Sequence, residues 1–313
     1  MARSLWKHLF PWRRKPTAHS RRFGRYDIVR IVHDGDKATV YEVRLPDTGE
    51  SAAIKAYKFE YNRTARRMRK RYSLRTEGEI GQMLTPPGSP ENGPLLRTLG
   101  QGWEFGDPGR CYYVILEYVE GVNLKHMIGC GDPRLKDLCP TVALAVARGL
   151  AGIHERGFVH RDVCTDNILV RKDGVIKLID LGFVVPTGLR FEEKSGTPSY
   201  MAPEQFEAKP IVPATDMYSF GVVLYELFTG RLPFVSQYSA SNPNVISRRT
   251  ADLRFKHLRD EPEPPRKFAP DLPAEIEKLI LQCLEKAPDK RPPNMQRICV
   301  ALAQSGGADG GGK

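Results

Sequence analysis

Three oxygen-bearing side chains at short spacing stand out in a sequence of 313 residues. Asp162, in His160-Arg161-Asp162, is followed by Asn167 and then by the apolar stretch Ile168-Leu169-Val170. A further strand, Val175 to Ile179, ends in Asp180-Leu181-Gly182. Two carboxylates and an amide at the ends of strand-like runs are hard ligands, the kind that suits Mg2+ held between protein and phosphate. Taken singly, His160 reads as a core histidine bonded to backbone, and Asp180-Leu181-Gly182 as a turn after a strand. Their joint order is what points to chemistry.

These residues need a scaffold, and the flanking pattern predicts one. From Tyr26 to Tyr118 the chain reads as short β-rich runs at Tyr26 to Ile31, Thr39 to Leu45, Ala52 to Phe59, Leu96 to Trp103 and Tyr112 to Glu117, separated by Gly, Pro or Asp turn signals. One helix is predicted to interrupt them, from Thr64 to Leu84, stopping at Pro86-Pro87-Gly88. Beyond Gly121 the apolar spacing becomes helical, as in Thr141 to Arg156, Asp216 to Thr229 and Ala274 to Leu284. A small β-rich half followed by a larger helical half predicts two lobes joined near Glu117 to Gly121. The arm before Tyr26 and the glycine-rich tail from Ser305 to Lys313 contribute little core.

Composition narrows the function classes. Hydrophobic residues make up 41% and charged residues 27%, the balance of a globular domain with a core. The strongest uncharged apolar run, Leu138 to Ala147, is interrupted by Pro140 and too short for a bilayer, and Lys7, His8 and Pro11 break the apolar patch of the arm. Neither a transmembrane segment nor a secretory signal is predicted. The six cysteines form no C-x-x-C pair and no histidine stands at ligand spacing from them, so a zinc site and a disulfide framework lack support, and a reducing, cytoplasmic setting is expected. Net charge is +11, but residues 1–25 carry eight Lys/Arg and residues 63–75 carry seven, neither with an acid, which leaves the remainder at −4. That distribution, an arm and one helix rather than a folded basic surface, argues against nucleic acid as a partner. Leu5, Trp6, Leu9 and Phe10 share a helical face of the arm, followed by Trp12, Arg13, Arg14 and Lys15. The bland reading is a solvated, disordered arm; the alternative is an anchor on an anionic membrane surface, giving a membrane-peripheral location.

The sequence closely resembles the protein kinase superfamily, serine/threonine branch, of the eukaryotic-like type found in bacteria. His160-Arg161-Asp162 with Asn167 matches its H-R-D-x-x-x-x-N, and Asp180-Leu181-Gly182 its D-F-G with Leu for Phe. Ala53-Ile54-Lys55 resembles the V-A-I-K strand, Met201-Ala202-Pro203-Glu204 the A-P-E, and Asp216 to Gly221 the D-x-x-S-x-G helix. Arg291 matches the late arginine that pairs with the A-P-E glutamate, a buried ion pair bracing the helical lobe. The resemblance covers Tyr26 to Ala303 and implies an α+β, two-lobed kinase fold, with a β-rich N-lobe over 26–118 and a helical C-lobe over 119–303. Residues 1–25 and 304–313 are the arm and the tail.

The resemblance also implies roles and ligands: ATP with Mg2+ or Mn2+, and a protein substrate carrying Ser or Thr. Lys55 would bind the α- and β-phosphates, Asn167 and Asp180 would hold the metal, and Asp162 would accept the proton of the substrate hydroxyl. His33, Gly35, Ala38, Val40, Ala53, Leu116, Glu117, Val119 and Leu169 fall at nucleotide-lining positions. Glu77 and Glu79 compete as partner of Lys55; Glu77 is preferred because Leu74, Ile80 and Leu84 then share its face. That choice places Gly81 where the family stacks a large apolar residue, which predicts a loosely held helix.

Three departures set up an alternative. Of the three places of the glycine loop, His33, Gly35 and Ala38, only the middle one keeps a glycine. The lysine expected two residues after the catalytic Asp is Cys164. Gly81 is the third. Against an active serine/threonine kinase able to autophosphorylate therefore stands a nucleotide-binding or scaffolding pseudokinase. Arg161 goes, in the family, with control by phosphorylation between Asp180 and Glu204, where Thr187 and Ser195 are candidate acceptors and Thr197 is expected to play a structural part beside Asp162.

Overall fold

The computed structural model describes residues 22–106, 109–192, 195–238 and 243–306. They divide into two compact units: the chain up to Arg67 with Leu99–Tyr118, and Met68–Thr98 with the chain from Val119 onward. The apolar face of the arm at Leu5 to Phe10, and residues 307–313 of the tail, lie outside the described residues.

The first unit is built on strands β1 (Arg22–Phe23), β2 (Tyr26–Asp34), β3 (Ala38–Arg44), β4 (Ser51–Tyr57), β5 (Thr98–Gly106) and β6 (Gly109–Glu117), in one sheet of order β1-β2-β3-β4-β6-β5. Side chains alternate across a strand, so register decides which residues share a face. Lys55 lies opposite Val40 and Val114, and Ala53 opposite Leu116. The residues between them, Ala52, Ile54 and Ala56, turn the other way and join Tyr26 and Val43 in the core of this unit.

One helix from Thr64 to Leu84 does not form. The chain makes α1 (Phe59–Tyr72) and α2 (Glu77–Leu84) instead. Ser73 takes a left-handed φ of 53°, and Thr76 caps α2 by a reciprocal pair of bonds: its Oγ1 accepts from Glu79 N at 3.2 Å and its N donates to Glu79 Oε2 at 2.7 Å. A capping box of this kind offers the backbone a local alternative to continuing the helix. Leu74, expected on the face of Glu77, falls in the break and packs instead with Met68, Tyr72 and Phe191.

The second unit contains β7 (Gly121–Asn123), α3 (Leu124–Cys130), α4 (Leu135–Glu155), β8 (Phe158–Val159), β9 (Ile168–Arg171), β10 (Ile176–Leu178), β11 (Val185–Pro186), α5 (Pro203–Phe206), α6 (Pro213–Thr229), α7 (Pro243–Arg259), α8 (Ala274–Cys283) and α9 (Met295–Gly306). The three helices read from periodicity are present as α4, α6 and α8, while α4 starts earlier than expected and runs through Pro140. Helix α6 is buried from Thr215 to Leu227, its polar residues Asp216, Ser219 and Glu226 included. Around it, one core draws Ile80 from α2, Leu150 from α4, Ile168 from β9 and Ile280 from α8. Each such side chain contributes about 1.5–3 kcal/mol when fully buried. Helix α9 carries the fold to Gly306, two residues into the stretch read as tail, with Ser305 Oγ bonded to Ala301 O at 3.1 Å. Among the described residues no helix is long and apolar enough to cross a membrane.

Candidate active site

Residues 160–167 connect β8 to β9, and their backbone is held from α6. Asp216, fully buried in its first turn, accepts His160 N at 2.7 Å, Arg161 N at 2.9 Å and His154 Nε2 at 2.8 Å. Gln205 of α5 donates Nε2 to Arg161 O at 3.0 Å. Arg161 adopts φ 68°, a conformation that costs a non-glycine residue on the order of 1–3 kcal/mol and persists where its surroundings over-determine it. Here both its N and its O are taken by buried side chains. Sequence reading found Asp216 only as part of a motif and missed Gln205, whose role depends on a contact 44 residues away.

The strained loop presents Asp162, which is 9% exposed. Its Oδ1 accepts both Thr197 N at 2.7 Å and Thr197 Oγ1 at 2.8 Å, and its Oδ2 accepts Asn167 Nδ2 at 3.2 Å. Thr197 thus has the structural part beside Asp162 that its position suggested. Asn167 Nδ2 also donates to Asp162 O at 2.9 Å. Both bonds use the amide nitrogen, so the amide oxygen is left as a hard ligand.

Asp180 reaches Asn167 through the antiparallel pairing of β9 with β10, in which Leu178 faces Ile168. One residue further, Ile179 N donates to Asn167 O at 2.9 Å, so Asp180 follows at the same end of the hairpin. Asp180 sits at φ 63° and its Oδ1 accepts Gly182 N at 3.1 Å. Among the described residues no three of His, Cys, Asp and Glu cluster as a self-sufficient metal cage. An amide oxygen and one carboxylate fit Mg2+, which keeps few protein ligands and takes its remaining oxygens from phosphate and water.

Cys164 is buried, with Thr197 Oγ1 3.8 Å from its Sγ. Burial, reinforced by the Asp162 charge, pushes the thiol far above its ordinary range, so the sulfur stays neutral and is no nucleophile. A cation does stand nearby: Lys125 of α3 places Nζ 3.5 Å from Asp166 Oδ2 and 5.6 Å from the centre of the Tyr200 ring. Beneath the loop, Thr165 Oγ1 bonds to Tyr200 OH at 2.7 Å and to Glu226 Oε2 at 3.0 Å, and Tyr200 OH also donates to Glu226. Nothing local in the sequence marks this buried network.

In the first unit, Ala38, Val40, Ala53, Lys55 and Leu116 share the sheet face opposite its core, by the registers given above. Lys55 Nζ lies 5.2 Å from the centre of the Tyr57 ring. The hairpin between β2 and β3 pairs His33 with Val40 and closes tightly, Gly35 N donating to Ala38 O at 3.1 Å. A Cβ on Gly35 would stand 2.7 Å from His33 Nε2, so a side chain at residue 35 would have to displace the exposed imidazole. Glu117 is the last residue of β6; in the second unit Val119 precedes β7 and Leu169 lies on β9.

Glu77 and Glu79 are separated by their surroundings. Glu79 is exposed and serves the cap of α2, whereas Glu77, the first residue of the helix, is buried. Ile80 and Leu84 enter the large core as their spacing required. The expectation of a loose helix at Gly81 fails: Gly81 is buried against Thr98, where a Cβ would approach Thr98 Oγ1 to 2.0 Å. Thr85 Oγ1 donates to Gly81 O at 2.8 Å and accepts Thr98 N at 3.0 Å, closing the same contact. The missing side chain lets α2 approach more closely, and α2 packs in turn on the turn Leu181–Phe183.

Further back, Arg291 and Glu204 form the buried pair read from the sequence, Nη1 to Oε1 at 2.7 Å and Nη2 to Oε2 at 2.9 Å. Residues 26–301 match the family model described as protein kinase domain. The chain is 29% identical over 283 residues to a probable serine/threonine-protein kinase of Clostridium acetobutylicum, covering 89% of this chain and 39% of that protein. It is 28% identical over 272 residues to the serine/threonine-protein kinase PrkC of Bacillus subtilis, covering 86% and 38%. The chain therefore spans under two fifths of the length of each of these curated relatives. Among solved structures, the kinase domain of PknI from Mycobacterium tuberculosis matches with a TM-score of 0.63 at 21% identity, over 90% of this chain and 96% of that one, a likeness of fold.

Proposed function

The chain belongs to the protein kinase family, and from that premise we propose that it transfers the γ-phosphoryl group of ATP to Ser or Thr hydroxyls of a protein, including its own. The observation that carries this reading is the Asp162 carboxylate, oriented by three donors from Thr197 and Asn167, with Asn167 and Asp180 at the same end of the β9–β10 hairpin. Asp162 orients the acceptor hydroxyl and takes its proton. Asn167 and Asp180 would hold Mg2+ or Mn2+, which when bound neutralises charge between the phosphates. Lys55 would contact the α- and β-phosphates, and its neighbours on the sheet face, with Glu117, would line the nucleotide. Because phosphoryl transfer passes through a loose transition state, positioning and electrostatics are most of what the protein must supply.

Incubation with labelled ATP, Mg2+ and a generic basic protein tests the proposal. Incorporation on Ser or Thr is expected, lost in Asp162→Asn and in Lys55→Met while both variants stay folded. Equal incorporation in wild type and Asp162→Asn removes the catalytic reading. The tight β2–β3 hairpin and the neutral Cys164 favour a second reading, a nucleotide-binding scaffold. It is supported if ATP raises the melting temperature but no transfer occurs. A membrane-peripheral location would be reached through the arm before Tyr26, and sedimentation with acidic vesicles of the full chain against residues 26–313 tests it: equal pelleting excludes the anchor.

A further inference from the structure

The segment between Asp180 and Glu204 is pinned by apolar and ionic contacts within the second unit. Thr187 N donates to Gly157 O at 3.0 Å, Ile211 N to Leu189 O at 2.8 Å, and Gln205 Nε2 to Ser195 O at 3.4 Å. The strongest tie is Phe191, 4% exposed. On one side of its ring lies the guanidinium of Arg161, 3.9 Å from the ring centre. On another stands the ring of Tyr72, with centroids 4.7 Å apart and tilted by 51°. Next to it, Arg71 Nη2 meets Glu192 Oε2 at 2.9 Å. Tyr72 and Arg71 are the last residues of α1; Phe191 shares its buried cluster with Val159, Val185 and Ile211, and Met68, Leu74 and Leu189 pack against that cluster.

Arg161 immediately precedes Asp162, and the groups that hold it include Asp216 on its N, Gln205 on its O and Phe191 on the face of its guanidinium. An arginine over an aromatic ring is attracted electrostatically, more strongly when water is excluded, as it is around a buried ring. The basic run at Arg63 to Arg75 could be read as a dock for a phosphate on the segment. In the structure its C-terminal end meets the segment through Tyr72 on Phe191, and through Arg71 on a carboxylate the segment already carries.

Resting on the kinase reading above, we propose that Phe191 is a positioning residue that holds Arg161, and through it Asp162, from a clamp supplied by the end of α1. Catalysis then does not require phosphorylation of Thr187 or Ser195. The buried ring already covers the face of the Arg161 guanidinium, and Arg71 already meets the Glu192 carboxylate.

The test has two arms. In the first, phosphatase-treated wild type and the Thr187→Ala/Ser195→Ala variant are expected to keep the wild-type kcat. Phe191→Ala should lower kcat by about 10²-fold, the scale of a displacement of roughly 1 Å at a catalytic group, with KM for ATP unchanged. Phe191→Tyr, which keeps the ring, should retain activity that Phe191→Leu, which keeps only apolar bulk, loses; equal effects of the two point to a merely structural residue and overturn the proposal. In the second arm, hydrogen exchange is followed in Asp162→Asn, which cannot phosphorylate itself. Slow exchange over residues 195–200, lost on adding Phe191→Ala, supports the clamp whether or not any transfer activity exists. Fast exchange there without phosphate overturns it. An active wild type that loses activity on dephosphorylation overturns it as well and leaves the kinase reading standing. No transfer by any variant, together with slow exchange, overturns only the kinase reading.

Discussion

Removing the carboxylate of Glu204 should destabilise the helical unit far more than most single changes. Both side chains are sequestered, Arg291 at 0% and Glu204 at 3% exposure. In Glu204→Ala the guanidinium keeps three carbonyl partners, Ala214 O at 2.7 Å, Glu285 O at 2.8 Å and Lys286 O at 3.0 Å, and the Tyr218 ring at 5.0 Å. None of these neutralises its charge. Breaking one side of such a pair costs about 3–5 kcal/mol because a buried charge is left uncompensated. With about 2–4 °C per kcal/mol for a large domain, the melting temperature should fall by about 6–20 °C. Activity should fall too, since Glu204 lies on the short helix α5 with Gln205, the residue that holds Arg161 O. Thermal and urea unfolding of Glu204→Ala, Arg291→Met and the double variant provide the measurement. The double variant should be less destabilised than the sum of the singles, with a coupling of about 1–3 kcal/mol. Strict additivity, or a loss under about 1 kcal/mol in Glu204→Ala, would refute the argument.

Four further outcomes are expected. Thr197→Val removes the hydroxyl bond to Asp162 Oδ1 but not the backbone one; a bond to a charged group is worth about 1.5–3 kcal/mol, so kcat should drop by about 10- to 10²-fold with KM for ATP steady, and an unchanged kcat would count against an oriented Asp162. Cys164→Lys tests whether turnover is limited by the absent cation: kcat should rise several-fold at constant KM, and no rise in a folded variant would assign that role to a cation such as Lys125. Gly81→Ala drives a Cβ to 2.0 Å from Thr98 Oγ1, so a loss of about 1–3 kcal/mol in unfolding free energy is expected, and wild-type stability would show that α2 can move away freely. His257, fully buried beneath Phe234 and bonded through Nδ1 to Tyr218 OH, has its pKa lowered to about 3 by burial and then by Lys286. Unfolding restores its ordinary value, so stability is full above about pH 6.5 and falls as pH drops toward 3, by up to about 1.4 kcal/mol per pH unit; His257→Gln should flatten that slope, and an identical acid profile in the two proteins would sink the assignment.

The candidate site was legible because the residues proposed to carry its chemistry are close in the chain and their flanks are regular. Asp162 and Asn167 lie on one short loop, Asp180 follows the strand that pairs back on it, and alternation put Ala53 and Lys55 on one face of β4 before any partner strand was known. Helices α4, α6 and α8 declared themselves through apolar spacing, since burial of a stripe is a local pattern even when its partner is remote. Helix α7 did not: its exposed residues include Ile246 and Phe255 beside several arginines, which blurs the stripe. The break at Ser73 to Thr76 was hidden because propensity continues through it, and a cap of two hydrogen bonds ends the helix there. Tertiary structure alone decided what holds the loop: Asp216 and Gln205 reach Arg161 from 55 and 44 residues away, and neither spacing nor composition encodes a contact at that separation. The same holds for Gly81, which reads as a weak point in a helix and acts as a close approach because Thr98 stands opposite. Phe191, one apolar residue among charged neighbours in the sequence, becomes the centre of a cluster only when the end of α1 and Arg161 close around it. Periodicity records which side of an element is buried; what it is buried against is a property of the folded chain.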